Sequence, residues 1–163
     1  MWRGIEEHLG SEQVSRVIYG AIIGMALVVV LEHQHPSAAV VAASLVATGL
    51  AVGLAEVYSD FIGTQTRLRR KLDRHHYRHM LESVAAVFFG IVFPDVFFVI
   101  AALGAMEIDT AFALAKWSGI ALIAFYGFAA GRLSGSGFMT SLLHGLAVAA
   151  IGAALIGFKV LVH

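Results

Sequence analysis

The chain has 163 residues, of which 59% are hydrophobic and only 13% charged, and its mean hydropathy is +0.82. A soluble domain of this size carries about twice that charged fraction, so the composition excludes an ordinary water-soluble fold and implies an integral membrane protein. Acidic and basic residues balance at 11 each, which says nothing about partners, and the absence of cysteine excludes disulfides, thiolate metal sites and nucleophilic thiols.

The opening MWRGIEEHLGSEQ is acidic and runs directly into a full-length apolar stretch, unlike a cleaved signal peptide. That stretch, from about Val14 to Leu31, predicts the first of five membrane-spanning helices. The others are expected over about Ser37–Gly63, Leu81–Leu103, Thr110–Ala130 and Phe138–Val162, giving one all-α domain over residues 1–163. EHQHP (32–36), GAMEID (104–109) and GRLSGSG (131–137) are short connections, so consecutive helices are expected to be antiparallel neighbours. The segment TQTRLRRKLDRHHYRHM (64–80) lacks Gly and Pro, and is read as continuing the second helix beyond the membrane.

The basic residues set the orientation. Arg67, Arg69, Arg70, Lys71, Arg74 and Arg78 all lie between the second and third spans. Arg3 and Arg16 stand at the start of the first span, Arg132 lies between the fourth and fifth, and the two remaining connections have none. By the positive-inside rule the N-terminus is cytoplasmic and the C-terminus outside. The basic segment reads first as a collar against anionic headgroups. His75 and His79, one helical turn apart with His76 beside them, are a candidate cytoplasmic metal site.

Glu56 and Asp60, in GLAEVYSD, share one face of the second span. Carboxylates in hydrocarbon are costly, so they mark a functional site by default. At a rise of about 1.5 Å per residue, Glu56 lies about 10 Å from the inner end of its span. His144 and Tyr126 reach a similar depth, and Glu82 opens the third span at the inner surface. Glu56, Asp60, Glu82 and His144 are therefore candidates for a metal or proton site, because oxygen and imidazole ligands suit Fe²⁺, Mn²⁺ or Zn²⁺. The alternative is an interfacial Asp60 and Glu82 with a structural Glu56–His144 pair. In the outer leaflet, Asp95 after Pro94 and Lys116 on the fourth span have opposite charges at matched depth and are expected to form an intramembrane ion pair. Glu32, His33, Gln34 and His35 read as a polar turn or as an ion release or capture site. Small residues in GAIIG (20–24), in GLAVG (49–53) and from Gly145 to Gly157 permit close helix packing, within a subunit or in a homodimer.

RVIYGAIIGM (16–25), AEVYSDFIGTQ (55–65), Pro94 and the glycine-rich closing section 127–157 together resemble the vacuolar iron transporter family, five-helix exporters of ferrous iron and manganese. The resemblance places Glu56 on the motif glutamate of the second helix and Ser59 on its serine. It implies a homodimer with the first helices near the two-fold axis, and divalent metal as transported ion with no cofactor required. It also shows departures. The first-helix aspartate corresponds to Ile23, the second-helix methionine to Val52, and segment 64–80 stands where some members carry a cytoplasmic metal-binding domain.

Two functions follow. One is a proton-coupled transporter of Fe²⁺ or Mn²⁺ in a cell membrane, with inner-leaflet carboxylates holding the ion. The other is a non-transporting scaffold or partner subunit of the same fold, because Ile23 and Val52 cannot ligate metal. No nucleophile–base pair or metallohydrolase signature points to an enzyme, and nothing beyond the topology-setting basic stretch points to nucleic acid.

Overall fold

In hydrocarbon every backbone donor needs an internal partner, and a run of aliphatic residues meets that requirement as a helix. The computed structural model, which describes residues 11–68 and 74–162, is built this way, with six helices and no strand among the described residues. They are α1 (Ser11–Glu32), α2 (Ala38–Leu68), α3 (Arg74–Val92), α4 (Asp95–Ala102), α5 (Ile108–Leu133) and α6 (Phe138–Val162).

Three of these contain stretches long and apolar enough to cross a membrane: Gln13–Glu32, Ala38–Gly63 and Ile108–Leu133. The expected third span is not one straight helix. It is a pair, Tyr77–Val92 and Asp95–Ala102, bent by 52° at the break. Pro94 has no N–H to give the Gly90 carbonyl, and its ring crowds the preceding turn. Counted as one span, the bent pair makes four, and α6 adds a shorter apolar stretch over Phe138–Ala154. At 31 residues α2 is about 46 Å long, more than a hydrocarbon core requires, and it continues past Gly63 into the segment that the sequence reads as its extension. Helix α5 runs to Leu133, three residues into the expected GRLSGSG connection, and the chain turns at Gly135 (φ 80°).

Packing does not follow chain order. Helix α1 lies chiefly against α3 and α5, and meets its sequence neighbour α2 only lightly. The reason is steric. Gly24 lies so close to α3 that a Cβ there would stand 2.7 Å from the Ile91 carbonyl oxygen, and one on Gly90 would stand 2.7 Å from Ala21 N. These glycines let the α1 and α3 backbones touch. Gly20 and Gly24, whose spacing allowed packing within a subunit or in a homodimer, thus lie against α3 of the same chain. Helices α5 and α6 close the same way, with a Cβ on Gly131 falling 2.8 Å from Ser141 Cα.

The main core gathers Val28, Leu31, Leu45, Ile91, Phe98 and Phe112 from five helices. Phe98 and Phe112 meet edge to face at 4.9 Å. Large apolar side chains outside the core, such as Leu54 (70% exposed) and Trp117 (73%), form the surface that lipid would solvate.

Candidate functional site: a charged cleft between two helices

Helix α1 packs on α3 and meets α2 only lightly, and a cleft of about 620 Å³ lies between its N-terminal half and α2. Ser15, Arg16 and Tyr19 line it from α1, while Val52, Ala55, Glu56, Ser59 and Asp60 line it from α2. The spacings are those of one face of each helix, so GLAEVYSD turns both carboxylates into the same space.

Arg16, whose charge in the sequence speaks for topology, belongs to the cleft. Its guanidinium pairs with Glu56 Oε1, with the two side chains only 24% and 12% exposed. The other carboxylate oxygen, Glu56 Oε2, is buried without a hydrogen-bond partner. Among its described lining residues the cleft therefore holds one guanidinium and two carboxylates, with Glu56 Oε2 uncommitted. The signal that could have found the pair is opposite charge near the same end of two spans: Arg16 opens the first, and its long side chain can reach towards Glu56, deeper in the second.

The other expected ligands lie elsewhere. Glu82 accepts a hydrogen bond from Arg78 Nε at 2.9 Å and a longer one from Gln13 Nε2 at 3.5 Å. It shares a second cleft, of about 290 Å³, with Tyr126. Gln13, Val14 and Val17 line that cleft from α1. At 100° per residue these lie roughly opposite Ser15, Arg16 and Tyr19, so the body of α1 separates Glu82 from Glu56. His144 is exposed on α6, its ring Nδ1–H donating to the Thr140 carbonyl at 2.9 Å, and α6 packs on α5 and α1. The expected convergence of Glu56, Asp60, Glu82 and His144 does not occur, because α1 and the distance to α6 keep them apart. Among the described residues no group of three or more His, Asp or Glu is arranged to hold a metal. His79 is exposed, and the side chain of His75 lies outside the described residues.

The outer ion pair is also different from the one expected. Lys116 Nζ donates to both oxygens of Glu32, at 2.6 and 2.8 Å, while Asp95 is buried with Oδ1 unpartnered. Depth matched Asp95 to Lys116, but the bend at Pro94 turns α4 so that Asp95 enters the core. Glu32, at the end of α1, reaches α5 instead. The Glu32–His35 turn is shaped by its own backbone, with His33 Nδ1–H donating to the Val29 carbonyl at 2.9 Å and His35 at φ 51°. Glu32→Gln is accordingly expected to lower stability by about 1–2 kcal/mol, a buried-pair loss reduced by partial exposure. Asp95→Asn should cost less. Thermal unfolding of both variants in one detergent checks the order, and the reverse order would restore Asp95 as the partner of Lys116.

Ile23 and Val52 have no donor atom for a metal; both pack against the main core, and Val52 also lines the cleft. No family model, no characterised protein and no solved structure matches this chain.

Proposed function

We propose that the protein is a membrane transporter of a divalent cation, Fe²⁺ or Mn²⁺ by ligand type, coupled to protons, with the α1/α2 cleft as the path of the ion. It is a cell-membrane protein of five spans with the N-terminus cytoplasmic, and works as a homodimer whose second copy covers the open side of the cleft. The supporting observation is Glu56. Its carboxylate sits at the cleft wall one turn from Asp60, with one oxygen on Arg16 and the other buried and free. Two carboxylates with Ser15, Ser59 and Tyr19 nearby are an oxygen-rich set of the kind that hard and borderline divalent ions accept.

Arg16 gives the mechanism its exchange step. An arriving cation and the guanidinium compete for Glu56, and the site has no stable state in which the carboxylate is left without a positive partner. Release follows when a proton or Arg16 takes the carboxylate back. Proteoliposome uptake of Fe²⁺, Mn²⁺ and Zn²⁺ against a pH gradient tests the reading. Flux above empty liposomes for at least one ion is expected, and its absence for all three overturns it.

The second reading is a non-transporting scaffold or partner subunit. It is favoured by the same pair seen from the other side, since Arg16 already neutralises Glu56, and by the aliphatic contacts of Ile23 and Val52. Co-purification of a stoichiometric partner, with no metal by elemental analysis, distinguishes it.

A further inference from the structure

The second cleft is shaped differently from the first. On α3 its wall consists of Glu82, Ala85, Ala86 and Phe89. These are positions i, i+3, i+4 and i+7, so the cleft is a groove running about 10 Å along the helix axis. Ala85 and Ala86 make it: larger side chains there would fill the space against Val17. Apart from Glu82, Gln13 and Tyr126, the described residues that line the groove are apolar. The mouth carries both signs of charge, because Arg78 lies one turn before Glu82 and donates to its Oε1. Arg78 is 75% exposed and Glu82 38%, so as an isolated surface pair they contribute little to stability. Among the described residues Glu82 Oε2 has only the 3.5 Å contact from Gln13.

We infer that this groove binds a phospholipid with a primary ammonium headgroup, of the phosphatidylethanolamine type, independently of the Glu56 cleft. One acyl chain lies along Ala85, Ala86 and Phe89. The lipid phosphate accepts from the remaining N–H groups of Arg78, and the ammonium donates to Glu82 Oε2. A lipid zwitterion thus meets a protein pair of matching signs at the end of an apolar slot. The chemistry discriminates among lipids. A choline headgroup has no N–H to donate to Glu82, and a glycerol headgroup brings no positive charge.

The test is lipid retention by the full chain, purified in mild detergent and passed through nanodiscs of equal phosphatidylethanolamine, phosphatidylcholine and phosphatidylglycerol, read by native mass spectrometry. The wild type should retain the ethanolamine lipid preferentially. Glu82→Gln should lower that preference about tenfold, the scale of one charge-assisted hydrogen bond. Ala86→Phe should abolish retention by filling the groove, with monodispersity checked alongside. Equal retention of the three lipids by the wild type, preference for the glycerol lipid, or unchanged retention by a monodisperse Ala86→Phe overturns the inference. The wild-type comparison decides even if Ala86→Phe fails to fold.

Discussion

Glu56→Gln is expected to reduce cation flux in proteoliposomes to the level of empty vesicles. The amide keeps the size and hydrogen-bonding reach of the side chain but removes the charge that both Arg16 and an incoming cation require. The same change leaves the Arg16 guanidinium without its carboxylate at a site where only 24% of the side chain is exposed, so some loss of stability is expected too. That loss should be about 1–3 kcal/mol, below the full cost of an uncompensated buried charge, because Asp60 lines the same cleft and offers a second acceptor. The two effects separate in the double variant. Arg16→Gln with Glu56→Gln removes both charges together and should recover most of the thermal stability, yet still show no flux. Asp60→Asn should weaken apparent affinity while leaving transport measurable. Wild-type flux in Glu56→Gln would make the Arg16–Glu56 pair purely structural, and the scaffold reading would then take precedence.

Helix positions are legible in the sequence and side-chain partners are not, for a geometric reason. Apolar run length fixes where a span begins and ends, so α1, α2 and α5 lie close to their expected limits. The absence of Gly and Pro after Gly63 told correctly that α2 continues, here to Leu68. Depth along a helix is likewise countable from the sequence. But depth is one coordinate. Whether two side chains at one depth meet depends on which helices are neighbours and which way each face points. Short connections suggested that α1 adjoins α2, whereas the glycines of α1 and α3 give α1 a different main neighbour. This one change opens the cleft beside Glu56, delivers Arg16 to it, and puts α1 between Glu56 and Glu82. Pro94 was legible as a bend. The 52° turn that removes Asp95 from Lys116 was not, because the size of a kink depends on what the freed segment packs against, here Phe112 beneath Phe98.

The second large effect is expected at Gly20. A Cβ at this position would overlap the Val87 carbonyl oxygen and stand 3.0 Å from the carbonyl carbon. Both are backbone atoms, so no side-chain rotation relieves the clash, and α1 must move away from α3. The two helices meet through fully buried Val87, Ile91 and Val28, whose contacts weaken together when the axes separate. Gly20→Ala should therefore cost about 3 kcal/mol, at the upper end for overpacking by a methyl group, and Gly20→Val more. Gly63→Ala is the control, since a Cβ there meets nothing within 4 Å and alanine favours the helix. Thermal unfolding in detergent with light scattering on the same samples separates two roles for Gly20. If it packs inside the chain, Gly20→Ala lowers the unfolding temperature whatever the oligomeric state. If it instead lies on a face between two copies, the variant loses mass to a monomer that unfolds no earlier than the wild-type protein. The contact with Val87 makes the first outcome the expected one, and it would leave the α1/α2 cleft, rather than the Gly20–Gly24 face, as the surface of α1 available to a second subunit.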